Sequence, residues 1–440
     1  MMQQQTLQGV IERILIKLYF VCCAMLGLSS CAENGAGLAS SDPSPYPIEL
    51  GPRPYFLVEN MAASELKQQL QTCSQSVQRR QNLRPQPFSI GHRGAPLQFP
   101  EHTRESYLAA IRMGAGKVEC DVVVTKDGAL VCRHDQCDLH QTTNILLTPL
   151  AKKCRQPFSP ATATSPAEAM CCSSDITLDE FQSLKGSMFG FNRQAKTAAE
   201  TREFQDPYRT RLYSSHLSGE LMTFAQSLAL FTAFSVESIP ELKAYDESLD
   251  ELSYDQLRMK LIDELRMAGI KREAVFLQSF SLDDLKFWRQ YAGDYASRLV
   301  FLDQPRRNEI ADIAYFIELK QLGINTIAPA LPMLLQIREN QLVPSAYALA
   351  ARKAGMNIMT WTVERSGSLI NGGGWYYGQG DSAQGMASGN FGSTTQLIKR
   401  EGDLYEVLHV LVKDVGIDAV FSDWPATTTF YANCLLTNSS

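Results

Sequence analysis

The chain has 440 residues, 45% of them hydrophobic and 20% charged, with a formal net charge of −6. This composition excludes a wholly disordered chain, and without a basic stripe the electrostatic footprint of a nucleic-acid binder is missing. An acidic protein that handles an anionic substrate needs a local positive charge, and a bound metal ion is the simplest source.

In chain order, Arg13 and Lys17 accompany an apolar run, Leu18 to Leu28. The run is too short to span a bilayer and suits the h-region of a signal peptide. Leu28-Ser29-Ser30-Cys31 resembles the bacterial lipoprotein cleavage box, in which the cysteine becomes the lipidated first residue. Residues 1–30 are therefore expected to be a signal peptide of lipoprotein type, with Cys31 as a lipid anchor to a membrane. The expected location is the periplasm or the outer membrane, with secretion as the alternative. Residues 31–50, small, polar and proline-rich, read as a flexible tether. Residues 51–85, rich in glutamine, read as a helical preface.

Export makes the remaining cysteines candidates for disulfides, though their connectivity is not readable from sequence. Cys120 and Cys132 lie in strand-like runs and read as buried free thiols. Cys137, Cys154, Cys171 and Cys172 share a loop-rich segment where bridges are expected. Cys73 and Cys434 flank the remaining chain and are placed to staple its ends.

From residue 86 onward, strand-like and helix-like runs alternate. Short apolar runs, continuous as in buried parallel strands, fall at Pro87–His92, Lys117–Thr125, Phe234–Lys243, Ala274–Phe280, Arg298–Leu302, Asn325–Ala328, Asn357–Thr362 and Asp418–Asp423. Helical runs between them include Thr103–Gly114, Ser253–Gly269, Leu282–Tyr291, Glu309–Leu322, Ala346–Gly355 and Leu404–Val415. In Ser253–Gly269, Leu257, Leu261 and Leu265 share one face. Eight strands with intervening helices predict an α/β fold, a (β/α)8 TIM barrel over residues 86–435. The alternation breaks at residues 136–218, read as a small subdomain inserted between strands two and three, with a short helix near Asp175–Gly186. A Gly-rich stretch, residues 366–402, follows strand seven and reads as a surface loop or an active-site lid.

The chemistry sits at strand ends. His92-Arg93-Gly94 closes strand one, and Pro100-Glu101-His102-Thr103 opens the next helix. Glu119 and Asp121 lie two apart on strand two, so both side chains face one side. Two buried carboxylates there repel unless a cation lies between them, and hard oxygen ligands favour Ca2+ or Mg2+. Glu241 on strand three adds a third acid and Lys243 a positive charge, with Glu237 as a rival ligand on the same face. His134-Asp135 ends the short strand after the Thr125-Lys126-Asp127-Gly128 turn.

These motifs, together with Pro240-Glu241-Leu242-Lys243 and Leu277-Gln278-Ser279-Phe280, occur in an order that resembles the glycerophosphodiester phosphodiesterase family. The resemblance covers roughly residues 86 to 435. It implies that Glu119, Asp121 and Glu241 bind one divalent cation and that His92 and His134 are the acid–base pair. It also implies that Arg93 and Lys243 contact phosphate. His102 stands where the family usually has Asn. Gln278, Phe280 and Trp361 are expected to line the pocket. The implied reaction is hydrolysis of a small-molecule glycerophosphodiester to glycerol 3-phosphate and an alcohol. The competing readings are a surface lipoprotein that binds partners without catalysis, and a lyase-type phospholipase D acting on lysolipids.

Overall fold

The structure is a computed structural model that describes residues 46–203, 208–209, 219–245, 252–304, 312–365, 367–377 and 397–436. The signal-peptide and lipid-anchor expectations, and most of the expected tether, lie outside the described residues. So do residues 204–207 and 210–218 of the expected insertion, and residues 366 and 378–396 of the Gly-rich stretch.

Eight strands form the barrel: β1 (Gln86–Gly91), β2 (Ala115–Val124), β3 (Glu237–Leu242), β4 (Leu277–Ser279), β5 (Leu299–Asp303), β6 (Thr326–Pro329), β7 (Asn357–Val363) and β8 (Ala419–Ser422). All are parallel and paired in chain order, and β1 pairs with both β2 and β8, which closes the sheet. Each strand read from the sequence overlaps one of these. Closure removes the exposed edges that an eight-stranded open sheet would carry. The interior is filled by Ile90, Ile239, Val300, Leu302, Ala328, Met359, Ala419 and Phe421.

The surrounding helices are α4 (Arg104–Arg112), α5 (Phe224–Ala233), α6 (Tyr254–Met267), α7 (Leu282–Tyr291), α8 (Ile313–Gln321), α9 (Ala346–Lys353), α10 (Asp403–Val410) and α11 (Ala426–Leu435). Thr103, Thr223, Ser253, Ser281, Asp312 and Ser345 cap six of them, each side-chain oxygen accepting from a first-turn N–H. These caps satisfy donors the helix cannot use. The Leu404–Val415 helix remains α-helical only to Val410, and Leu411–Val415 widens into a π-turn before Gly416. Helix α5 was not among the expected elements, although Thr223 and Gln226 form a capping box at its start.

Three helices precede the barrel: α1 (Arg53–Glu59), α2 (Glu65–Gln75) and α3 (Val77–Gln81). Leu57, Val58, Leu66 and Leu70 join the same apolar core as the barrel helices. Arg53 Nε donates to the buried Glu364 carboxylate at 2.7 Å, and Cys73 is bridged to Cys434 on α11. The preface is thereby bound to the barrel by packing, charge and a covalent bond.

Between β2 and β3, the short strand Leu130–Cys132 returns antiparallel to β2. Residues 139–184 then build a second apolar cluster, in which Leu139, Ile145, Ile176, Phe181 and Leu184 pack on Val123 and Val131. The bridges Cys137–Cys172 and Cys154–Cys171 staple it, and its helix spans Leu178–Ser183. Cys120 and Cys132 are not free thiols. They lie diagonally across two antiparallel strands with Cα atoms 5.3 Å apart, which is bridging distance, and they form a disulfide.

Candidate active site

Strand periodicity aims one residue in two into the barrel. The inward residues begin as Ile90, Ile239, Met359 and Phe421 and end as His92, Glu241, Trp361 and Asp423 at the C-terminal mouth. Glu119 and Asp121 follow the same alternation on β2. Active sites of this fold sit at that mouth. Glu237, the rival to Glu241, lies at the other end of β3, paired with Lys117 at 3.2 Å and Arg298 at 2.8 Å.

Glu119, Asp121 and Glu241 converge, each offering a carboxylate oxygen within 4.8 Å of the others, and all three are buried. Glu119 accepts from Gln278 Nε2 at 2.8 Å and from the Arg93 backbone N–H at 3.1 Å. Asp121 accepts from His102 Nε2 at 2.9 Å. Glu241 accepts from Lys243 Nζ at 2.6 Å. Burial, with Asp121 and Glu241 close by, pushes the Glu119 carboxyl well up. Burial pushes Glu241 up to about 7, against the pull of the Lys243 ammonium. Asp121 goes the other way: burial opposes its charge, but Lys243 and His102 hold it well below the usual range.

The residues fit a divalent cation. Oδ1 of Asp121 is buried and receives no hydrogen bond, as does Oε1 of Gln278. Three crowded carboxylates with an unsatisfied oxygen are a hard, oxygen-rich donor set of the kind that Ca2+ and Mg2+ take.

The turn after β1 is built for close approach. Arg93 (φ 55°) and Gly94 (φ 96°) are both left-handed, and a Cβ on Gly94 would lie 2.3 Å from Ser106 Oγ. This turn directs the Arg93 N–H at Glu119. Its guanidinium pairs with both oxygens of Glu101, at 3.1 and 3.2 Å.

His92 Nδ1 lies 2.6 Å from Asp423 Oδ1. A carboxylate only accepts, so Nδ1 carries the proton and Nε2 is the free acceptor, 3.8 Å from Glu119 Oε2. Burial, and the Arg93 guanidinium, push His92 down to about 4 despite Asp423. Asp423 is also held by Arg209 at 2.9 Å and Arg365 at 3.2 Å, whose charges overcome burial and keep its pKa well below the usual range. Arg365 reaches Glu101 as well, at 3.2 Å. Burial, with the charges of Arg93 and Lys243, pushes the His134 imidazole well down.

Gln278, expected to line the pocket, is fully buried and supports Glu119 instead of facing an opening. Phe280 and Trp361 meet edge to face at 5.5 Å, with Lys243 over the Phe280 ring at 5.8 Å. From the Gly-rich stretch, Trp375 stacks on Trp361 at 5.9 Å and Tyr376 packs edge-on to both. The described part of that stretch thus packs against Trp361.

Sequence reading missed the work of Glu101, Arg209 and Arg365. Arg209 and Arg365 lie in loops with no motif around them, so no local signal marks them. Glu101 belongs to a motif already singled out, and its position before a capped helix was the available clue. His102 proves to be a buried bridge, accepting from Tyr107 at Nδ1 and donating to Asp121 at Nε2.

The model of the glycerophosphoryl diester phosphodiesterase family matches residues 92–427. The chain belongs to that family. An Arabidopsis thaliana glycerophosphodiester phosphodiesterase, GDPD6, is 24% identical over 341 residues, covering 72% of this chain and 82% of its own length. A protein of Arthroderma benhamiae named as an extracellular protein is 41% identical over 256 residues, covering 56% of this chain and 99% of its own length. A crystal structure from Silicibacter pomeroyi that bears the family's name superposes with a TM-score of 0.50 at 18% identity, covering 81% of this chain and 97% of its own, which supports the barrel fold. In this phosphodiesterase the family match begins at His92 and takes in all three acids, His134, Lys243 and Asp423. Among the described residues no helix is long and apolar enough to cross a membrane.

Proposed function

We propose that this enzyme hydrolyses glycerophosphodiesters to glycerol 3-phosphate and an alcohol, using a divalent cation, Ca2+ or Mg2+, held by Glu119, Asp121 and Glu241. The observation that carries this is the convergence of the three buried carboxylates. The bound cation would supply positive charge against the phosphate and the charge that builds on it. Arg93, 3.6 Å from Asp121, and Lys243, 2.6 Å from Glu241, add to that charge.

His92 is the base. It is neutral at neutral pH, its Nε2 is free, and Asp423 at Nδ1 stabilises the imidazolium once a proton is taken from the attacking hydroxyl. That hydroxyl belongs to water or to the substrate's own glycerol. His134 delivers a proton to the departing alcohol oxygen. In the free site Arg93 and Lys243 disfavour its cation, and the phosphodiester anion offsets them when it binds. Phe280 and Trp361 wall the glycerol side. Gln278 acts through Glu119, which it orients.

Export is the second part of the proposal, with Cys31 as an anchor in the periplasm or outer membrane, or secretion without it. Eight cysteines paired in four bridges support an oxidising compartment. The test of the reaction is release of glycerol 3-phosphate from glycerophosphocholine by the purified protein, abolished by EDTA and restored by Ca2+ or Mg2+. Full activity in chelator would sink the metal role, and no release with either ion would sink the reaction. Fractionation of cells expressing the full chain and a Cys31→Ala variant tests the anchor.

A further inference from the structure

The Cys120–Cys132 bridge stands at the junction of two catalytic segments. Cys120 lies between Glu119 and Asp121 on β2 and faces away from the barrel interior. Cys132 lies two residues before His134. The antiparallel ladder pairs Val124 with Leu130, Val123 with Val131 and Val122 with Cys132, and there it ends. One more backbone bond follows, from the Arg133 N–H to the Asp121 carbonyl at 2.8 Å. Continued in register, His134 would lie opposite Cys120 and share its outward face, so the chain must leave the ladder after Arg133 for His134 to feel the charges of Asp121 and Glu101. The bridge therefore takes over where hydrogen bonding stops, one residue short of the histidine.

The short strand needs such help. It is three residues long, and a ladder of that length is weak by itself. Among the described residues no hydrogen bond fixes the His134 ring, so its placement depends on its backbone. Both sulfurs are completely buried, which makes the bridge a permanent fixture and not a switch that a passing reductant could open.

We propose that the Cys120–Cys132 disulfide is a positioning element that holds His134 against the acidic cluster, so that proton delivery to the leaving group depends on it. This rests on the reading of His134 as the acid. A displacement of about 1 Å at a catalytic group costs about 10²-fold, and a positioned acid is itself worth about 10²–10⁴-fold.

The test compares Cys120→Ala/Cys132→Ala, and the volume-preserving Cys120→Val/Cys132→Ala, with wild type. Cys154→Ala/Cys171→Ala, which opens a bridge in the insertion, is the control. Each is assayed with Ca2+ or Mg2+ on two substrates. Glycerophosphocholine has a poor leaving group that needs a proton; glycerol p-nitrophenyl phosphate has a good one that does not. The expected result for both bridge-free variants is a kcat loss of about 10²-fold on glycerophosphocholine with KM within about twofold, and a loss under about fivefold on the p-nitrophenyl ester. The control keeps kcat on both. Equal losses on both substrates would reduce the bridge to a structural staple, and unchanged kcat would overturn the proposal outright. Wild type inactive on both substrates would overturn the functional reading and this inference with it, whereas an active wild type with equally active variants overturns this inference alone.

Discussion

Nδ1 of His92 donates to Oδ1 of Asp423 across the seam between β1 and β8, 331 residues apart in sequence. Asp423 holds the imidazole in one tautomer and faces it with negative charge. Asp423→Asn keeps the shape but presents an amide that can turn its NH2 toward Nδ1 and invert the tautomer. The expected outcome is a kcat loss of about 10²–10⁴-fold on glycerophosphocholine with little change in KM. Steady-state kinetics at saturating metal would check it, and a variant within twofold of wild type would remove Asp423 from the reaction.

The acids should behave as one unit. Glu119→Gln, Asp121→Asn and Glu241→Gln each remove a charge from the same few ångströms. Each is expected to lose more than about 10²-fold of activity and to require more metal. Gln278→Ala and His102→Ala, which strip one hydrogen bond from Glu119 and Asp121, should weaken metal affinity about 10–100-fold while leaving substantial kcat at saturating ion. Calorimetric titration with Ca2+ and Mg2+ separates the two classes. Unaltered affinity in all five variants would place the cation elsewhere.

The barrel and the acids were legible in sequence because both obey short periodicities. Continuous apolar runs ended in charged motifs, and Glu119 and Asp121 share a face by strand geometry alone. The support was less legible because it is made of long-range pairs. Asp423 finds His92, Arg209 and Arg365 only after the barrel closes, and Glu101 meets Arg365 across 264 residues. Cys120 and Cys132 misled for a related reason. Their settings are strand-like, but whether two strands pair, and in which register, decides between a thiol and a bridge. Helix α5 carries a readable capping box, but its sequence adjoins the irregular insertion, where the alternation breaks.

The Cys73–Cys434 bridge closes almost the whole described chain, with a separation of 361 residues. In the chain-entropy picture a closed loop of that size is worth roughly 6 kcal/mol. Cys73→Ala/Cys434→Ala should therefore lower Tm by several degrees while leaving kcat and KM unchanged, since the bridge joins α2 to α11 away from the acids. Paired thermal melts and kinetics decide it, and a large kcat loss in a folded variant would tie the preface to catalysis.

Asp138, at the base of the insertion, offers a test by pH. It is buried, and burial pushes its carboxyl up to about 7 even though the Arg133 guanidinium pulls the other way. The unfolded chain releases this proton near the ordinary aspartate value, 3.8, whereas the folded chain holds it to about 7. Between those values the unfolded state binds fewer protons, so this group's contribution to stability falls as pH rises, and it levels off above about 7. Asp138→Asn cannot ionise and escapes that loss. It gives up one acceptor, since Asp138 takes bonds from Thr142 Oγ1 and the Asp135 N–H. At pH 8 the variant is expected to be more stable than wild type by about 1–2 kcal/mol, less than the full shift implies at about 1.4 kcal/mol per unit. Near pH 4, where wild type is also neutral, the order should reverse slightly. Denaturant melts of both proteins at the two pH values check this, and a difference that stays the same at both would mean that the Asp138 carboxyl is not shifted by folding.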